Sequence, residues 1–140
     1  MTPPGYERRL VIAAAREHVW DAIGTVDGPR HWWTTWVTGS AARGEELCFG
    51  FDGLPERMVM RVIASRRPAE VGWECVAHTR GDEWTGTRLS FELADHEPGA
   101  CELTFRHTGL SGDTVADGWQ HFLASLAGYA EKGAGTPFGG

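Results

Sequence analysis

The stretch VADGWQHFLASLAGYAEKG, residues 115–133, carries an apolar stripe along about four helical turns. Its apolar residues recur every three or four positions, which predicts an amphipathic α-helix. Ser111 or Asp113 can cap its start, and it ends at the final Lys-Gly pair. Gly118 and Gly128 weaken the helix unless they let it lie close to a sheet or a ligand. The stripe consists of Val115, Trp119, Phe122, Leu123, Leu126, Tyr129 and Ala130.

Residues 45–109, upstream of this helix, alternate between apolar and polar side chains in five segments. Such alternation predicts antiparallel strands with one covered face. The turn-rich segments FDGLPE, SRRPAE, HTRGDEWTG and ADHEPGA separate the strands. The inward-facing positions are Leu47, Phe49 and Phe51; Met58, Met60, Val62 and Ala64; Val71, Trp73 and Cys75; Leu89, Phe91 and Leu93; and Cys101, Leu103, Phe105 and His107.

The N-terminal part predicts one strand over residues 7–14, followed by a helix that ends near Gly24. VDGPRHWWTTW then allows a short second helix that carries tryptophans. We expect an α+β fold in which a curved antiparallel sheet of six strands, or seven, covers the long C-terminal helix. Residues 1–140 form one domain in this interpretation, with a loose tail at about 134–140.

Composition limits the classes of function. The net charge of −6 and the lack of a clustered basic face argue against nucleic-acid binding. The sequence has neither an apolar run that could cross a bilayer nor an apolar signal core, so we expect a cytoplasmic protein that does not bind membranes. Cys48, Cys75 and Cys101 lack CxxC spacing and are predicted to be buried, reduced thiols. The six histidines form no ligand motif, and we expect no metal and no cofactor.

Several motifs resemble one known superfamily. AAAREHVWDAIG is similar to its first helix, and PRHWWTTW matches the place where bacterial relatives carry paired tryptophans. RVIASRRPAEVGWEC resembles the strand, proline turn and strand that follow. LTFRHTGL and GWQHFLASLAGYAEKG resemble the C-terminal hallmark of the bacterial activator-of-heat-shock-protein-ATPase-like group. The chain thus resembles the helix-grip, or START-like (SRPBCC), superfamily that includes birch-pollen allergens.

The resemblance implies a sheet wrapped around a long helix, often with an apolar cavity between them. Lipid carriers, plant ligand binders, polyketide cyclases and co-chaperones share this fold, so the fold alone does not select a function.

The tryptophans are the first candidate site. Trp32, Trp33 and Trp36 are expected at the rim of the sheet, and Trp73 and Trp119 point into the same interior. These rings either fill the interior or line a cavity for a flat apolar ligand. The predicted ligand-binding residues are Trp32, Trp33, Trp36, Phe49, Met60, Trp73, Cys75, Phe91, Phe105, His107, Trp119, Phe122 and Leu123.

His107 is the one catalytic candidate, because alternation places it on the inward face of its strand. It could transfer a proton, orient a ligand, or be a structural residue whose nitrogens are hydrogen-bonded. No inward carboxylate accompanies it, since Glu92 and Glu102 alternate outward. Arg106, the neighbouring cation, alternates outward as well. The sequence also indicates no base or cation beside either inward cysteine, which weakens a nucleophilic role.

Three hypotheses follow. The first is a small binding protein with an apolar, tryptophan-rich cavity for a hydrophobic small molecule. The second is a cyclase-like or dehydratase-like enzyme in which His107 assists. The third is a protein-interaction module resembling the heat-shock ATPase activator. A homodimer is kept as an alternative to a monomer.

Overall fold

A computed structural model of the protein describes residues 5–79, 84–110 and 116–139. These residues form one antiparallel sheet of seven strands, two α-helices and one 3-10 helix. The strands are β1 (Gly5–Ile12), β2 (Trp36–Gly39), β3 (Glu46–Phe51), β4 (Leu54–Arg66), β5 (Glu70–His78), β6 (Arg88–Glu97) and β7 (Ala100–Thr108). The helices are α1 (Arg16–Ile23), the 3-10 helix (Gly28–His31) and α2 (Ala116–Lys132).

The strand order β1-β7-β6-β5-β4-β3-β2 makes β1 and β2 the edge strands. Strands β3 to β7 are the five strands predicted from alternation. On β7, every second side chain from Cys101 to His107 is buried. On its outer face, Arg106 pairs with Glu7 at 2.6 Å and Glu92 at 3.2 Å. The α+β fold with an antiparallel sheet and a C-terminal helix is therefore confirmed.

Strand β2 is the strand that alternation did not identify. It is only four residues long and pairs with β3, Trp36 opposite Gly50 and Val37 opposite Phe49. The short helix expected to carry the tryptophans ends at His31, before all three of them. Turn residues and a four-residue strand give too short a pattern for periodicity to separate helix from strand.

The edge of β2 is covered by a side chain. The Arg30 guanidinium donates from Nε and Nη2 to the Val37 carbonyl oxygen at 3.1 and 2.6 Å. Arg30 comes from the preceding 3-10 helix, which places it beside the outer edge of the sheet.

Helix α2 lies against the inner face of the sheet, where the Trp119 and Phe105 ring centroids are 4.5 Å apart. Leu123, Leu126 and Ala130 are also buried, while Phe122 and Tyr129 are half-buried. The predicted interior position of Phe122 is thus only partly correct. Val115 and the predicted caps Ser111 and Asp113 lie outside the described residues.

The segment that we expected to be a loose tail is docked onto the rest of the chain over residues 134–139. Thr136 donates its amide hydrogen to Ser125 Oγ at 2.7 Å, and Phe138 bridges to Thr34 in parallel orientation. The Phe138 ring packs edge-on against Phe51, with centroids 5.5 Å apart. The expectation of a loose tail was wrong because a glycine-rich composition indicates backbone freedom but not the hydrogen-bonding partners that remove it.

The two glycines of α2 provide a matched stability test. An added Cβ at Gly118 would meet no atom of the described residues outside its own helix backbone within 4 Å, whereas at Gly128 it would lie 2.8 Å from the Ala134 carbonyl oxygen. We expect Gly118→Ala to raise the free energy of unfolding by up to about 1 kcal/mol through helix propensity. We expect Gly128→Ala to lower it by about 1 to 3 kcal/mol through overpacking. Urea unfolding of both variants checks this, and stabilisation by both would contradict the contact with the tail.

Candidate functional site

Trp33 occupies the centre of the interior. Its side chain is 2% exposed. Its ring centroid lies 4.6 Å from Phe49, 5.4 Å from Trp119 and 6.0 Å from Trp73. Trp33 and its neighbours form what we call the aromatic cluster, which comprises Trp32, Trp33, Phe49, Trp73, Trp84, Phe91, Phe105 and Trp119. Side-chain rings therefore occupy the space around Trp33.

Strand alternation positions half of the cluster. Phe49, Trp73, Phe91 and Phe105 are inward residues of β3, β5, β6 and β7. Trp32 comes from the loop after the 3-10 helix, and its indole nitrogen donates to the Ala22 carbonyl oxygen at 2.6 Å. This hydrogen bond satisfies the only polar atom of the buried ring.

Most of the predicted ligand-binding residues lie together in the interior. Buried among the described residues are Trp32, Trp33, Phe49, Met60, Trp73, Cys75, Phe91, Phe105, His107, Trp119 and Leu123. Phe122 borders this group and is half-buried. The structure thus brings these residues together, and their role in ligand binding stays a prediction.

Trp36 was expected at the rim of the sheet with Trp32 and Trp33, but it lies on the outer face and not with the other predicted ligand-binding residues. Its side chain is 42% exposed and lies over the outer side of Gly50, where a Cβ would overlap the indole ring. The Arg57 guanidinium stacks on it, 4.5 Å from the ring centroid. Because Trp36 belongs to a strand, its neighbour Val37 faces inward instead and is 1% exposed.

Both nitrogens of His107 are hydrogen-bonded. The Trp119 indole nitrogen donates to Nδ1 at 3.1 Å, and Nε2 lies 2.9 Å from Thr87 Oγ1. Thr87 Oγ1 in turn donates to the Trp84 carbonyl oxygen at 2.6 Å. This network assigns the proton to Nε2 of a neutral imidazole. Burial lowers the pKa of His107 from 6.5 to about 4, so the side chain is neutral at pH 7.

Trp84 and Thr87 are site residues that the sequence analysis did not identify. Trp84 lies in the loop before β6, half-buried, with its ring 4.6 Å from His107 and 5.8 Å from Trp119. Thr87 is 1% exposed. Trp84 belongs to the turn-rich segment HTRGDEWTG, and Thr87 directly follows it. In such a loop, periodicity does not predict whether a side chain points inward or outward. An aromatic residue between turn formers was the one available indication.

The three cysteines are free thiols. Burial raises the pKa of Cys75 to about 11 and also raises the pKa of Cys101, which lies near Asp95. Both are therefore protonated at neutral pH and are poor nucleophiles. Cys48 was expected to be buried but is half-buried, because it lies on β3 between the inward residues Leu47 and Phe49.

The interior presents the faces of aromatic rings, and its described polar residues are already hydrogen-bonded. In the described part of the chain, the buried polar residues are Thr34, Thr87, His107 and Ser125, each hydrogen-bonded. Within the same residues, no three His, Cys, Asp or Glu side chains lie together as a metal site requires. Neither of the two described α-helices has the length and apolar content to cross a membrane.

Comparison with known proteins agrees with this architecture. Residues 13–131 match the family described as Activator of Hsp90 ATPase homolog 1-like protein. The chain belongs to this family. A comparison with curated protein sequences finds no match.

This Activator of Hsp90 ATPase homolog 1-like chain is also similar to several solved structures. The Aha1 dimer from Colwellia psychrerythraea, solved in solution, is 29% identical with a TM-score of 0.79, covering 94% of this chain and 98% of that one. CV1439 from Chromobacterium violaceum shares 18% identity and a TM-score of 0.76, over 91% and 96% of the chains. CalU16 from Micromonospora echinospora shares 15% identity and a TM-score of 0.73, over 94% and 76%. The last two show the fold alone.

Proposed function

We propose that the protein binds a neutral, planar, apolar small molecule in the position that the Trp84 ring takes within the aromatic cluster. One observation carries this proposal. Trp84 is a loop residue, half-buried, yet its ring contacts those of Trp33, Trp119 and His107. A planar guest that displaces the Trp84 ring would inherit these contacts.

The surrounding rings define the guest. Trp119 and Trp33 lie nearly parallel to Trp84, at 22° and 27°, and His107 meets it edge-on at 77°. Offset stacking and edge contacts of this kind contribute about 0.5 to 1.5 kcal/mol per pair beyond area burial. A charged guest would lose its hydration, and the described His107 imidazole would not compensate it, because that imidazole is neutral and both its nitrogens are occupied.

The loop base can stay in place during such an exchange. Gly86 donates its amide hydrogen to the Cys75 carbonyl oxygen at 2.7 Å, which ties the loop to β5 independently of the Trp84 side chain. The ring can therefore turn outward while the strands on either side keep their register.

A cyclase-like activity has less support. Acid-base catalysis needs a group that exchanges protons near neutral pH. The pKa of about 4 and the two hydrogen bonds of His107 favour a structural role for this residue, and the raised pKa of Cys75 disfavours a thiolate. We place His107 in a structural role that keeps the site neutral.

A co-chaperone-like protein interaction is the second candidate, favoured by the 29% identity to Aha1 over 94% of the chain. Because that relative was solved as a dimer, we also propose that this chain self-associates. Sedimentation equilibrium over a hundredfold range of protein concentration tests this self-association. Such a range samples about 2.7 kcal/mol of association free energy. A single monomeric mass throughout would contradict it.

Binding is tested with two probes of one size, uncharged 2-naphthol and anionic 2-naphthoate. We expect 2-naphthol to change the tryptophan fluorescence and to stabilise the fold by about 2.7 kcal/mol at one hundred times its dissociation constant. The anion should bind about tenfold more weakly or worse.

Variants of two tryptophans locate the site. Trp84→Ala should bind 2-naphthol more tightly than the parent, because the ring no longer competes with the guest. Trp36→Ala is the matched control on the outer face and should bind like the parent. Absence of 2-naphthol binding by both the parent and Trp84→Ala would refute the proposed site.

A further inference from the structure

The C-terminal tail, residues 134–139, crosses from the end of α2 to the loop that carries Trp33. Its first contacts are with α2: Ala134 donates to the Gly128 carbonyl oxygen at 3.3 Å and Thr136 to Ser125 Oγ at 2.7 Å. Between them Gly135 passes so close to His31 that a Cβ would overlap the His31 carbonyl oxygen. The tail path therefore depends on glycine at this position.

The second set of contacts lies on the tryptophan loop. Phe138 donates its amide hydrogen to the Trp33 carbonyl oxygen at 2.8 Å, and its own carbonyl oxygen accepts from the Thr35 amide at 3.1 Å. The Phe138 ring rests on Phe51 but remains 37% exposed. One residue of the tail thus engages the backbone on both sides of Thr34.

These contacts connect the tail to the centre of the aromatic cluster. The Trp33 carbonyl is held by the tail while the Trp33 side chain lies among Phe49, Trp73 and Trp119. We propose that the tail is a latch, which holds Trp33 in the interior and restricts the access of small solutes to the cluster.

The latch is suited to opening without global unfolding. Phe138 is more exposed than any core ring, and its described contacts are two backbone hydrogen bonds and one ring. Segments with few buried contacts open at lower free energy than the core. The latch would regulate access to the proposed binding site. The identity of the ligand it controls rests on that proposed function.

The test uses the full chain in a Trp36→Phe background, which removes the exposed indole from the fluorescence. Gly135→Ala displaces the tail at His31, and Phe138→Ala removes the ring contact. Gly118→Ala is the control, because Gly118 is exposed on α2 and an added Cβ there would contact none of the described residues outside its own helix backbone. Melting curves identify any variant that fails to fold, and Phe138→Ala decides if Gly135→Ala does not fold.

Three readouts follow in each variant: hydrogen exchange at the Thr35 amide, quenching of tryptophan fluorescence by acrylamide, and the association rate of 2-naphthol. We expect Thr35 exchange to accelerate about tenfold or more, and the quenching constant and association rate to rise about twofold or more. The control should match the background in all three.

Acrylamide separates the latch from the ligand proposal. Faster Thr35 exchange with unchanged quenching would overturn the latch, since the tail would have left without opening the cluster. Unchanged exchange in a folded Phe138→Ala variant would overturn it as well. Increased quenching without any 2-naphthol binding would support the latch and reject the proposed binding function.

Discussion

Replacing Trp33 by alanine is expected to lower the free energy of unfolding by about 3 to 5 kcal/mol, the range for large-to-small changes of buried aromatic residues. Trp33 is 2% exposed and its ring lies within 6.1 Å, centroid to centroid, of Trp32, Phe49, Trp73 and Trp119. Four neighbouring rings would each lose a packing partner. The cavity left by the Trp33 ring is therefore too widely shared to be filled by the movement of one side chain. Urea unfolding at pH 7 measures the loss.

The matched control is Trp36→Ala, three residues along the chain. This change removes an exposed ring and its stacking with Arg57, so we expect a loss of about 1 kcal/mol or less. Equal losses at the two tryptophans would show that Trp33 is not the centre of the cluster.

Acid is expected to destabilise the protein through His107 by about 3 kcal/mol between pH 6.5 and pH 4. The pKa of His107 is about 4 in the folded state and 6.5 as its ordinary value. Between these values the unfolded chain binds a proton that the folded protein does not. The stabilisation is therefore complete above pH 6.5 and is lost as the pH falls towards 4.

His107→Gln isolates this titration from that of the carboxylates. The glutamine amide can offer one donor and one acceptor to Thr87 and Trp119 but does not ionise. The free energy of unfolding of the parent, relative to that of the variant, should thus fall by about 3 kcal/mol from pH 7 to pH 4. A constant difference between parent and His107→Gln would contradict a depressed pKa.

Period-two and period-3.6 patterns were sufficient to predict strands β3 to β7, helix α2 and most of the interior. They succeed because a side chain that alternates along a covered sheet has only two facings. Leu103, Phe105 and His107 illustrate this, since their spacing alone predicts that all three are buried.

The errors fall where facing is decided by tertiary contacts. Trp36 turned outward because a four-residue strand replaced an expected helix or loop, and Trp84 turned inward from a loop. The tail docks through backbone hydrogen bonds of Thr136 and Phe138, which have no side-chain pattern. The tautomer of His107 likewise depends on Thr87, twenty residues away in sequence, and its lowered pKa depends on burial by the tertiary fold.

The Arg30 side chain beside β2 has a consequence for assembly. An edge strand offers unpaired backbone groups to any extended chain, and this templating is a route to aggregation. Here the Val37 carbonyl oxygen already accepts two hydrogen bonds from the guanidinium, and the Thr35 amide already donates to Phe138. A foreign strand would have to displace both of these interactions. While the tail is docked, these contacts and the shortness of β2 both oppose the addition of a foreign strand on this side of the sheet.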